Sequence, residues 1–298
     1  MVKFTHQNLK KMMLQKMTIF IAILCFSVSS FAQDSYMDAK AEADEKTYTG
    51  GETYVVKTYP QKFKTKKPQK IILMIGDGMG VTQVFAGLTA NKGDLFIENF
   101  KHVGFSTTQS SDNYITDSAA GGTAISTGVK TYNGAIGVNP DKESVKTILE
   151  EAEDKGLATG LVSTSSITHA TPASFIAHQE SRNMYEEIAA DFLETDFEVI
   201  IGGGKDHFTK RKDGRNLVQE LEDKGYTIEP ELDKIKDFRG EKLVALTADG
   251  HNPRISERKN MLPVATKTAV RVLNENKKGF FLMVEGSQID WGGHANST

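Results

Sequence analysis

Only one cysteine occurs in 298 residues, Cys25, inside the apolar stretch near the N-terminus. A lone cysteine forms no internal disulfide, so stability must come from core burial and bound metals. If that stretch is removed, cysteine-ligated zinc and a cysteine nucleophile are excluded as well. Beyond the N-terminus, no apolar run is long enough to span a bilayer. Basic residues are also short: 36 stand against 39 acidic ones, a formal balance of −3. Four of the lysines (Lys3, Lys10, Lys11 and Lys16) fall in the first 32 residues, which hold no acid, so the remainder carries −7. That leaves no nucleic-acid-binding signal, because such affinity needs basic surface.

What is present begins with an export leader. The four lysines precede an apolar stretch, Met17 to Phe26, and then Ser30-Phe31-Ala32 offers small residues where a signal peptidase reads. Residues 1–32 are expected to be a signal peptide cut after Ala32, giving a periplasmic or secreted protein with no membrane span after cleavage. No small residue precedes Cys25, which argues against a lipoprotein signal. Residues 33–69 are expected to form a polar leader rich in lysine, and 70–298 a folded domain. From Lys70 on, apolar runs alternate with helical patterns. Ile71–Ile75, Leu157–Val162, Phe197–Ile201, Leu243–Leu246 and Phe280–Val284 are predicted strands, the first buried on both faces. The spacing of Val145, Ile148, Leu149 and Ala152 predicts a helix with Gly156 closing it, and Val264–Asn276 predicts another. The expected fold is α/β, a mostly parallel central sheet with helices on both faces, incomplete at the C-terminus. In such sheets ligands bind beyond the carboxyl ends of the strands.

Four motifs lie at those ends. Ile75-Gly76-Asp77-Gly78-Met79-Gly80 runs a strand into a glycine-flanked carboxylate. Val81 stands where a dinucleotide-binding turn needs its third glycine, so Asp77 reads as a metal ligand or as a turn residue capping the next helix. Asp117-Ser118-Ala119-Ala120-Gly121-Gly122 puts a serine at a helix start, where free N–H groups favour anions. Ser118 is either a nucleophile or a simple N-cap, and no G-x-S-x-G elbow surrounds it. In Thr168-His169-Ala170-Thr171-Pro172-Ala173, His169 and Thr171 suit a metal or its waters, and Arg182 can fork onto phosphate oxygens. Glu285-Gly286-Ser287-Gln288-Ile289-Asp290-Trp291-Gly292-Gly293-His294 gathers three metal-competent side chains. Asp290 and His294, four apart, share a face on a helical turn. Nitrogen with carboxylate suits zinc, and Glu285 suits magnesium.

Taken together, these strings resemble the alkaline phosphatase family of bacteria and animals, in the same order and at similar separations, from about Lys70 to Thr298. His169 and Trp291 make the chain most similar to enzymes of marine and cold-habitat bacteria. Some relatives carry Asp and Lys at these two positions, a change that bears on metal preference.

The resemblance implies hydrolysis of phosphate monoesters through a phosphoserine, with two Zn2+ and one Mg2+. Asp77 would bridge a zinc and the magnesium. Ser118 would ligate that zinc and attack phosphorus. Thr171 and Glu285 would complete the magnesium site, and Asp290 with His294 would hold the second zinc. Arg182 would hold the phosphate, with Asp117 positioning it. A homodimer is the family's common assembly. The family's remaining zinc ligands lie downstream of His294, so both zinc sites are expected to be incomplete and the chain a weakly active or inactive fragment. Catalytic zinc ordinarily takes three protein ligands, and Ala295-Asn296-Ser297-Thr298 offers no good one. The alternatives are a phosphodiesterase or phosphomutase of the same superfamily, and a non-catalytic secreted protein that binds metal or phosphate. A sulfatase is disfavoured, because its Pro/Arg-containing nucleophile motif is absent around Ser118.

Overall fold

Alternation of apolar strands with amphipathic helices leaves parallel pairing as the economical arrangement, and every strand pair found is parallel. This computed structural model describes residues 53–59 and 69–297, so the expected signal peptide lies outside the described residues. The strands are β1 (Lys70–Gly76), β2 (Ala158–Ser166), β3 (Val199–Gly203), β4 (Thr227–Ile228), β5 (Leu243–Leu246) and β6 (Phe280–Gly286). They form one sheet in the order β1-β6-β2-β3-β5-β4. At two residues, β4 is too short to carry an apolar signature in sequence.

Period-two alternation along the strands sends side chains into two separate cores. Leu161, Ile200, Phe281 and Met283 enter one, with Leu149, Ile188, Leu217 and Leu221 from helices on that face. Val162, Val199, Ile201, Leu282 and Val284 enter the other, covered by Ala265, Ala269, Val272 and Leu273 of the helix Met261–Leu273. Burying each large aliphatic side chain contributes roughly 1.5–3 kcal/mol, so the four central strands anchor everything at their ends. The helix over Val145–Ala152 starts later than its spacing predicts, at Ile148. There Thr147 accepts from Glu150 N–H and Glu150 reaches back, a complete capping box. Gly156 follows that helix in the left-handed region (φ 68°), as expected.

One expectation is overturned. The run Ile71–Ile75 does not form a strand buried on both faces. Among the described residues β1 is an edge strand paired only with β6, and Ile71, Ile72 and Met74 are exposed, Met74 by 67%. A continuous apolar run reports that a strand is apolar, not that neighbours cover it. Tyr54, assigned by sequence to the polar leader, packs on the fold: it exchanges hydrogen bonds with Asn91 (2.8 and 3.1 Å) and stacks on Phe96.

Thr53–Asp290 forms one compact unit, and Trp291–Thr298 belongs to a second. Within that tail, Ala295 N–H donates to the Trp291 carbonyl and Ser297 N–H to that of Gly292, both at 2.9 Å. Among the described residues, no helix is long and apolar enough to cross a membrane.

Candidate active site

The register of β1, β6 and β2 aligns their C-terminal ends, setting Ile75 and Ser163 level with Glu285 on either side. Asp77 follows β1 by one residue. The turn that carries it needs glycine at position 78, where φ is +62° and an added Cβ would lie 2.6 Å from Asp290 Oδ1 and 2.8 Å from Asp290 Cα. The turn after β1 and the helix Gln288–His294 after β6 therefore meet with no room for a side chain between them. Gly80, not Asp77, caps the helix Val81–Ala90, which removes the capping reading of Asp77.

Ser118 opens the helix Ser118–Thr127. Its N-cap is Asp117, whose Oδ1 accepts from Ala120 N–H at 2.9 Å, so Ser118 is not the cap and its hydroxyl is available elsewhere. That hydroxyl donates to Asp77, at 3.0 Å to Oδ2 and 3.2 Å to Oδ1. Two glycines inside this helix cost about 1 kcal/mol each against alanine. They allow close approach, since a Cβ on Gly122 would sit 3.0 Å from Ser174 Oγ and 3.5 Å from Thr171 Cα. Small residues thus let the Ser118 helix lie directly against the Ala170–Ala173 segment that carries Thr171.

Arg182 is held on two sides. Nη1 donates to Asp117 Oδ2 at 3.0 Å, and Nη2 donates to His169 Nε2 at 3.2 Å. A guanidinium has no acceptor, so His169 Nε2 must be the accepting nitrogen. Burial, the Arg182 charge and His251 hold His169 well below the ordinary histidine range, which keeps the ring neutral and accepting. His251 meets His169 edge to face at 5.2 Å between ring centres.

Glu285 is fully buried. Its Oε2 accepts from Ser163 at 2.5 Å and Ser165 at 3.4 Å, and the Thr171 hydroxyl also favours its charged form. Burial nevertheless pushes it up to about 7, with Asp77 adding to the rise. Its Oε1 makes no hydrogen bond of full geometry among the described residues. Asp77 is raised for the same kind of reason, burial first and Asp290 second, against the lowering by Ser118 and Arg182. Carboxylates that raise one another in a desolvated place, one with an unsatisfied oxygen, are the donor set a hard divalent cation neutralises. The residues present fit such an ion. Among the described residues, however, no three His, Cys, Asp or Glu side chains stand in a ready-made metal-holding arrangement.

Eight of the nine residues singled out by sequence belong to this one neighbourhood: Asp77, Asp117, Ser118, His169, Thr171, Arg182, Glu285 and Asp290. His294 ends its helix in the second compact unit. Sequence reasoning missed the hydroxyl cradle of Ser163 and Ser165. The signal was present: Ser163-Thr164-Ser165-Ser166 continues an apolar strand with four polar residues, all of them fully buried.

Comparison with known proteins bears on this arrangement. A family model described as alkaline phosphatase matches residues 68–298. Alkaline phosphatase 4 and alkaline phosphatase 3 of Bacillus subtilis are 42% and 45% identical over 261 and 246 residues, covering 80% and 76% of this chain. The same alignments cover 56% and 53% of those proteins, so the chain spans about half the length of these curated relatives. The solved alkaline phosphatase of the Antarctic bacterium TAB5 is 44% identical, with a TM-score of 0.73 over 77% of this chain and 68% of its own.

Proposed function

This chain belongs to the alkaline phosphatase family, and from that premise we propose that it hydrolyses phosphate monoesters through a phosphoserine at Ser118. The observation that carries this reading is the hydrogen bond from Ser118 to Asp77 at the first turn of a helix, beside an arginine fixed at two points.

In this reading Asp77 draws the Ser118 proton toward itself and leaves the oxygen lone pairs for phosphorus. The helix N-terminus favours the anionic phosphoryl group. Arg182 neutralises charge on the equatorial oxygens, and Asp117 and His169 keep it from swinging away, so little reorganisation is needed during reaction. Asp77, Thr171 and Glu285 would hold magnesium. Asp77 and Ser118 would hold one zinc, and Asp290 another, to which the sequence resemblance adds His294. Bound divalent cations would supply acidity to the serine and to the attacking water, and charge neutralisation on phosphorus. A variant of the Antarctic enzyme carries magnesium in its M3 site. That finding, with the donor chemistry of Glu285, supports the magnesium reading.

We read residues 70–298 as catalytic domain and 1–32 as an export leader, supported by its lysines and apolar stretch. This would deliver the protein to the periplasm or the medium, where homodimers of the family type would form. The test is trapping with labelled p-nitrophenyl phosphate followed by peptide mapping. Label is expected on Ser118 and none in Ser118→Ala, whereas label on any other residue of the wild type overturns the assignment. Turnover of the bis-ester in preference to the monoester would shift the reading to a phosphodiesterase.

A further inference from the structure

Glu285 and Asp290 both crowd Asp77, and like charges there repel one another. The Ser287–Asp290 segment that carries Asp290 is tied to neighbouring elements, which resists that repulsion. Two side chains make the ties. The Ser287 hydroxyl meets the Thr164 hydroxyl at 2.8 Å, and Ser287 N–H donates to the same Thr164 oxygen at 3.0 Å. Gln288 reaches further. Its amide nitrogen donates to the carbonyls of Pro253 (2.9 Å) and Asn252 (3.0 Å), with that of Thr164 at 3.4 Å. Its amide oxygen accepts from Arg258 Nε at 3.1 Å. Because a guanidinium only donates, the amide's orientation is chemically fixed, and all four contacts have the right polarity.

The loop it grips is itself anchored. Asn252 is buried and accepts from the Thr247 hydroxyl at 2.7 Å. Arg258 makes no ion pair among the described residues, so its charge acts on the Gln288 carbonyl and strengthens the opposite N–H donors. One side chain therefore ties the end of β2 and the loop after β5 to the segment after β6, between Glu285 and Asp290 in the chain.

We propose that Gln288 is a positioning residue that sets Glu285 and Asp290 against Asp77 at the separation a divalent cation requires. The role rests on the cation reading given above. Gln288 need not touch cation or substrate, and it acts through the backbone it holds.

The test is calorimetric titration of the purified, cation-free chain with zinc chloride and with magnesium chloride, alongside p-nitrophenyl phosphate kinetics and thermal melting. Gln288→Leu is expected to weaken cation binding about 10–100-fold, the range for losing a residue that orients a ligand. kcat should fall with KM unchanged, and saturating cation should restore it. Arg258→Met, which leaves the carbonyl contacts in place, should weaken binding only a few-fold. Asp290→Asn is the reference for the site itself. If it leaves cation affinity unaltered, the cation reading fails and takes this proposal with it. If Asp290→Asn weakens binding while Gln288→Leu matches the wild type, the positioning role alone is overturned. Should Gln288→Leu not fold, Arg258→Met decides: unaltered affinity in that variant sinks the proposal.

Discussion

Glu198 and Glu285 sit at opposite ends of the same parallel sheet, and burial drives both up to about 7. Their partners differ in kind. Glu198, just before β3, accepts the Thr159 backbone N–H at 2.6 Å; Asp196 and Glu153 add to its rise and the Lys242 charge opposes it. Its donor is part of the sheet and cannot turn away. Glu285, near the end of β6, is served among the described residues by the rotatable hydroxyls of Ser163, Ser165 and Thr171, and the charge that acts on it is Asp77. A fixed donor suits a carboxylate that holds strands in register. Hydroxyls can reorient, which suits one that must accept a cation. The shared value near 7 therefore says little about role, and the chemistry of the partners says more.

The sharpest way to break this contrast is to neutralise each glutamate in turn. Glu285→Gln is expected to lower phosphomonoesterase activity on the order of 10²-fold, the scale of removing one electrostatic group from an active site. Glu198→Gln should change kcat by less than about twofold. Equal losses in the two variants would dissolve the distinction.

A second test uses pH. Each folded-state pKa lies above the ordinary 4.5, so the folded protein keeps protons that the unfolded chain has released. Stability of the cation-free protein should therefore fall as pH rises from about 4.5 to about 7, then level off, by a few kcal/mol at most. Magnesium should flatten the part due to Glu285 and leave the part due to Glu198. Melting curves across that range, with and without magnesium and in Glu198→Gln, check both halves.

Smaller effects should separate the donors. Ser163→Ala removes the shortest bond to Glu285 and is expected to cost about tenfold in activity, recoverable with excess magnesium. Thr159→Ala leaves its backbone N–H on Glu198 and loses only the 2.8 Å bond from its hydroxyl to Glu153. It should cost about 1 kcal/mol in urea unfolding and nothing in turnover.

Much of this was legible in the sequence. Five strands announced themselves as apolar runs ending in glycine or polar residues, and motifs two hundred positions apart named most of the residues that the fold brings together. What stayed hidden is relational. Ile71, Ile72 and Met74 look like core residues, yet among the described residues β1 has one strand neighbour, and strand order is not written in a strand's own composition. The serines of β2 look like a strand running out into solvent, yet they are buried because Glu285 of another strand lies beside them. Gln288 resembles an ordinary surface amide until the loop at 252–253 is seen folding over it.

The missing Cβ of Gly78 has an evolutionary corollary. Asp290 occupies the volume a methyl group would take, and the backbone there is left-handed. In a saturation library spanning positions 76–80, selected only for folding, position 78 should return glycine almost alone. A variant in which alanine is tolerated at 78 would be one in which Asp290 has drifted. The smallest residue in the turn thus serves as a gauge of whether its distant acidic neighbour is seated.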